Sequence, residues 1–99
     1  MTRKAEEVLV LDLTGVSSVC DYFVICHGDS DTQVKAIADA VLDGLREEGA
    51  NAWHTEGYAG RSWILLDYVD VVVHVFHRET RQFYRLEDLW ADAPHETIS

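Results

Sequence analysis

Five histidines, two cysteines and a closely spaced pair of aspartates are the side chains of this 99-residue sequence with the most chemistry to offer. His74 and His77 are three apart in the apolar stretch Val71-Val72-Val73-His74-Val75-Phe76-His77. On a strand that spacing sends them to opposite faces, so they cannot both ligate one ion. His27 and His54 would meet only through the fold, and packing or surface roles are expected for the histidines. Cys20 and Cys26 have no metal-ligand spacing and read as buried packing thiols. Asp67 and Asp70 flank a tight break, where paired carboxylates can hold Mg²⁺ or move protons. Turn chemistry explains them more simply, since Asp hydrogen-bonds its own backbone two residues on. His27-Gly28-Asp29-Ser30 has the placement of a phosphate-binding loop but neither the spaced glycines nor the lysine of one. Among the aromatics, Trp63, Tyr84 and Trp90 read first as core. Arg81 and Arg85 bracket Tyr84, however, and aromatic and arginine residues together are what interface hot spots are made of.

These residues must be positioned by a small number of elements. The stretch from Ser62 to His77 carries two apolar runs, Trp63 to Leu66 and Val71 to Phe76, around Asp67-Tyr68-Val69-Asp70. That is a β-hairpin signal, and near-continuous apolar runs predict strands covered on both faces at the middle of a sheet. Val8 to Leu13 and Asp21 to His27 predict a first and second strand, antiparallel because the connection is short. Ser30-Asp31-Thr32-Gln33 has capping-box spacing, and Val34, Ile37, Ala38, Val41, Leu42 and Leu45 form one helical stripe that stops at Gly49. Ala50 to Glu56 predicts a third strand, with the helix as crossover from the second to the third. Residues 78 to 92 predict a helix in one or two pieces, and Asp92 to Ser99 a polar tail. The expectation is a single α/β (α+β) domain over 1–99, a mixed sheet of about five strands flanked by helices.

Composition limits function. Hydrophobic residues at 47% and charged residues at 26% place the chain among globular domains. A net charge of −10 argues against direct nucleic-acid binding, which Lys and Arg carry, and favours a basic partner. The start Met-Thr-Arg-Lys shows no signal-peptide pattern and no apolar run reaches the length of a membrane span. A cytoplasmic protein with reduced thiols is expected, without cofactor or metal.

Several blocks in unbroken order carry a resemblance. Asp21-Tyr22-Phe23-Val24-Ile25-Cys26, Gly28-x-Ser30, Gln33, Ile37-Ala38-Asp39, Glu56-Gly57, Trp63 to Asp67, Asp70 to Phe76 and Arg81-x-Phe83-Tyr84-x-Leu86-Glu87-x-Leu89-Trp90 resemble the ribosomal silencing factor family, RsfS/Iojap, from about residue 7 to 92. The resemblance implies a nucleotidyltransferase-like fold without catalysis. It implies binding to ribosomal protein fourteen on the large subunit, steric exclusion of the small subunit, and lowered translation when nutrients are short. It also implies homodimers. Trp63 and Tyr84 are the residues it associates with partner contact, with Arg81, Glu87 and Asp70 as neighbours. Family members carry an N-terminal helix before the first strand, which residues 1 to 6 are too few to form here. His27 stands where the family pattern has Thr or another small residue, and Asp29 where it has Thr. A small nucleotidyltransferase and a dimeric adaptor with another client are the competing readings.

Overall fold

A computed structural model describes residues 6–16, 18 and 20–97; the charged start at 1–5 and Ser17 of the first loop lie outside the described residues. The elements run β1 (Glu6–Asp12), β2 (Tyr22–Gly28), α1 (Asp31–Glu47), β3 (His54–Glu56), β4 (Trp63–Asp67), β5 (Val71–His77), α2 (Arg78–Tyr84), α3 (Leu86–Leu89) and β6 (His95–Thr97). They build a mixed sheet in the order β3-β4-β5-β2-β1-β6, in which β2 and β5 are parallel and the other pairs antiparallel. The α/β class, the β1/β2 pairing, the β4/β5 hairpin and the two-piece C-terminal helix all follow the sequence reading.

The pleat of β5 explains why it is the centre. Val73 and Val75 point toward α1 and pack with Val34, Ile37, Ala38, Ile64 and Leu66. Val72 and Phe76 point the other way, into a second core with Leu11, Leu13, Ile25, Leu86 and Ala93. The α1 stripe sits as its spacing requires, and Ser30 Oγ accepts the Gln33 N–H at 3.1 Å. Gln33 returns its side-chain oxygen to the Asp29 N–H at 2.6 Å, one residue before the position a capping box uses. Gly49, at φ +92°, ends the helix in the left-handed region.

Three expectations are corrected. The sheet has six strands rather than five, because the polar tail folds back along β1. Leu9, Val10 and Leu11 pair with Thr97, Glu96 and His95, and the Asp12 N–H donates to the Pro94 carbonyl at 2.8 Å. Backbone pairing at an edge asks nothing of side-chain hydropathy, so an exposed polar strand leaves no apolar signature. The third strand shrinks from Ala50–Glu56 to His54–Glu56, all exposed at the other edge. Helix α1 does run from β2 to β3 as read, with β3 lying three places from β2 and the chain returning beside β2 only as β5. Lastly, β5 is buried on both faces but β4 is not. Ile64 and Leu66 are buried toward α1, whereas Trp63, Leu65 and Asp67 on the opposite side are half-buried.

Candidate partner-binding site

That half-covered side of β4 is where the aromatic residues collect. Trp63 opens β4 opposite Phe76, and its ring centre lies 4.8 Å from that of Phe76 and 5.0 Å from that of Tyr84. Its indole N–H donates to His74 Nδ1 at 3.1 Å. The imidazole in turn meets Phe23 edge-on at 4.6 Å, and Phe23 meets Trp90 at 5.9 Å. A chain of rings therefore leads from the α3 side of the core to the surface, where Tyr84 is 52% exposed and Phe83, in edge contact with it, 79% exposed. Aromatic pairs at such angles add to area burial and stiffen the patch.

The surface ends of this chain are set by α2. Tyr84 is its last residue, and Arg85 at φ +47° turns the backbone into the left-handed region, with its N–H on the Arg81 carbonyl at 2.8 Å. The helix stops there, and α3 departs in a new direction that buries Leu86 and leaves Leu89 75% exposed. Residues 83 and 84 are about 100° apart on a helix, so they cannot both face the core. That angle is the sequence signal by which the exposure of Phe83 could have been anticipated.

His74 is the residue the sequence reading undervalued. Burial pushes its pKa down to about 4, so the ring is neutral. With Nδ1 accepting from Trp63, the proton sits on Nε2, which is buried and has no hydrogen-bond partner among the described residues. His74 thereby fixes the rotamer of Trp63 from below.

The remaining sequence candidates separate. Arg81 is turned inward and only 8% exposed. Its guanidinium donates to the Glu7 carbonyl and to His27 Nδ1, both at 2.9 Å, and lies 3.4 Å from Glu87 Oε2. Arg81 and Glu87 thus tie α2 and α3 to the β1/β2 end of the sheet. Asp70 sits in the β4/β5 turn, at the opposite end of that hairpin from Trp63; its carbonyl accepts the Asp21 and Tyr22 N–H groups. The structure brings together Trp63 with Tyr84 and Arg81 with Glu87, and leaves Asp70 apart from both.

The same hairpin turn holds a second apolar opening. Trp53, 74% exposed, and Val69, 57% exposed, line a shallow cleft with Asp67 and Val72. Val69 has φ +73° and the Asp70 N–H donates back to the Tyr68 carbonyl, a strained γ-turn centred on a β-branched residue. Asp67 holds it by accepting the Val69 N–H at 2.7 Å, the turn role expected of it.

The other chemical candidates are occupied elsewhere. Cys20 and Cys26 are free and buried, and burial raises the Cys26 thiol to about 11. His77 accepts the Glu79 N–H as the cap of α2, and His54 pairs with Glu56 at 2.7 Å. Among the described residues no group of three or more His, Cys, Asp or Glu side chains is placed to hold a metal ion, and no helix is long and apolar enough to cross a membrane.

Comparison with known proteins identifies the family and the fold. A profile of the family described as "Ribosomal silencing factor during starvation" matches residues 1–99. The chain is similar to the ribosomal silencing factor RsfS of Bacillus subtilis (strain 168), at 51% identity over 92 residues covering 93% of this chain and 78% of that protein. It is similar to the RsfS of Halalkalibacterium halodurans at 48% identity, covering 93% and 79%. Among solved structures, one from Chromobacterium violaceum superposes with a TM-score of 0.86 at 36% identity, covering 89% of this chain and 73% of that one. Another, from Bacillus halodurans, gives a TM-score of 0.80 at 43% identity, covering 98% and 86%. With the family profile matched over residues 1–99, relatives about half identical over most of the chain and the same fold in solved structures, this chain belongs to the ribosomal silencing factor family.

Proposed function

We propose that this protein binds ribosomal protein fourteen on the large ribosomal subunit through the Trp63–Phe83–Tyr84 surface and keeps the small subunit from joining, with no reaction catalysed. The observation that carries the reading is the exposure of two adjacent aromatics, backed by a half-buried Trp63, on a chain of net charge −10. Preorganised aromatics of this kind make interface hot spots, and an acidic surface suits a basic ribosomal protein by steering encounter and rejecting acidic competitors. Arg81 and Glu87 serve by positioning α2 from behind rather than by touching the partner. Asp70 belongs to the acidic surround. The action is cytoplasmic, where subunits join, and a homodimer is the state in which the free protein is held.

The test is a sucrose-gradient assay in which purified protein is added to separated subunits. It is expected to travel with large subunits and to reduce the joined fraction as it saturates them. A Phe83→Ala/Tyr84→Ala double variant should lose both effects while keeping its fold. Unchanged subunit joining at saturating protein, or full activity of the folded double variant, sinks the assignment.

A further inference from the structure

The β4/β5 turn and the loop before β3 hold two apolar side chains out in solvent. Trp53 is fixed through its backbone, where its N–H donates to the Asp67 carbonyl at 2.8 Å, and its ring meets that of His54 only at a tilt, 5.9 Å away. Val69 stands at the tip of the γ-turn that Asp67 holds. The two line an opening of about 400 Å³ that Asp67 and Val72, cross-strand neighbours, complete. An indole 74% exposed adds little to either core, and apolar side chains grouped in water mark contact sites.

Charge decides what fits this opening. No Lys or Arg lines it. Asp67 does, and only its Oδ1 is engaged, by the Val69 N–H; its Oδ2 takes no hydrogen bond among the described residues. Asp70 follows Val69 and is exposed, and its carbonyl accepts the Asp21 N–H at 2.8 Å, which brings a third acidic residue to the same turn. None of the three is in an ion pair among the described residues, whereas Asp29, Asp39, Asp43 and Asp88 elsewhere each hold a Lys or Arg. An acidic rim without its own cations disfavours a second copy of this chain, whose carboxylates would meet these, and equally disfavours nucleic acid or an anionic lipid surface. It suits a cation with an apolar stem. Arginine fits better than lysine, because its planar guanidinium stacks on an indole face and offers a fork to a carboxylate while its methylenes cover apolar neighbours.

We propose that the Trp53–Val69 cleft seats an arginine side chain presented by a basic partner protein, the guanidinium lying on the Trp53 indole and against the Asp67 carboxylate, with Asp21 and Asp70 steering its approach. The cleft lies at the opposite end of the β4/β5 hairpin from Trp63, so this contact is distinct from the aromatic surface and stands or falls apart from it.

Amide and indole chemical-shift titrations of the full chain test it, with the peptide acetyl-Gly-Leu-Arg-Leu-Gly-amide and counterparts carrying lysine or citrulline in place of arginine. Shifts are expected at the Trp53 indole, Asp67, Val69 and Asp70, saturating in the millimolar range and weakening as salt is added. Citrulline keeps the shape without the charge and should bind about tenfold more weakly, the combined worth of one exposed cation–π contact and one exposed ion pair; lysine should fall between. Trp53→Ala alters an exposed side chain and should abolish binding with the rest of the spectrum intact. Asp67→Asn, whose amide oxygen can still accept the Val69 N–H, should bring the arginine peptide down to the citrulline level. Phe83→Ala/Tyr84→Ala should bind the peptide as the parent does, which separates this contact from ribosome binding. The proposal is overturned by the absence of shifts at these residues at millimolar peptide, by equal affinity for the arginine and citrulline peptides, or by undiminished binding in Trp53→Ala. Concentration-dependent shifts at Trp53 and Val69 without peptide would also overturn it, since the occupant would then be a second copy.

Discussion

The indole N–H of Trp63 is bonded to Nδ1 of His74 at 3.1 Å, joining a half-buried surface aromatic to a neutral imidazole in the core. His74 tolerates only the uncharged form there. Its pKa is held near 4 against an ordinary 6.5, so the unfolded chain takes up a proton as pH falls below 6.5 and the folded chain does not until near 4. Stability from this residue is complete above pH 6.5, falls across that window and levels off below it, a loss of about 3 kcal/mol. His74→Phe keeps a ring in the site and removes the titration. Urea unfolding on either side of the window should show a smaller pH dependence in the variant by that amount; equal slopes would mean that His74 is not held neutral.

Removing the Arg81 guanidinium leaves Glu87 and His27 without their shared donor and opens a void behind α2. Arg81→Ala should cost about 3 kcal/mol or more in unfolding free energy, and Arg81→Lys less, since a single ammonium keeps the charge but loses the fork. A loss below about 1 kcal/mol for the alanine variant would show that the buried guanidinium ties nothing together.

Two left-handed residues should respond in opposite directions. A Cβ on Gly57, at φ +89°, would stand 2.0 Å from the Trp63 carbonyl oxygen, so Gly57→Ala must displace the strand that carries Trp63. It is expected to cost about 3 kcal/mol or more. Val69→Gly relieves a β-branched side chain at φ +73° and should raise stability by about 1 kcal/mol. Thermal melts decide both, and a Val69→Gly protein that melts lower than the parent would remove the claim of strain.

Phe83 and Tyr84 are exposed enough that truncating either should change stability by less than about 1 kcal/mol. At a hot spot the same truncations weaken binding by about 2 kcal/mol or more, roughly thirtyfold in dissociation constant. Trp63→Ala should damage both quantities, because it also strips Phe76 and His74 of their cover. Paired melting and large-subunit co-sedimentation measurements separate the two classes; a Tyr84→Ala protein that melts normally and binds normally would move the interface elsewhere.

Much of this arrangement was legible in the residues. The alternation around β5, the α1 stripe and the Asp67 turn each rest on local periodicity or local hydrogen bonding, which sequence carries directly. What escaped was whatever depends on distant partners. The polar strand β6 exists only because β1 offers it an open edge, and β3 is short because nothing beyond it needs pairing. Arg81 reads as a surface neighbour of Tyr84 from spacing alone. Its inward turn follows from the Glu7 carbonyl and His27, 74 and 54 residues away in the chain. The role of His74 was hidden for the same reason, since only the finished hairpin brings Trp63 over it.

The placement of β1 between β2 and β6 also bears on when the protein becomes competent. β1 has its outer edge paired only by β6, some eighty residues later in the chain, and β2 waits likewise for β5. A nascent chain short of residue 97 therefore exposes unfinished edges, with Tyr84 only lately met by Trp63. Closing the sheet beside β1 thus falls to His95–Thr97, and trimming those three residues would bare the β1 edge.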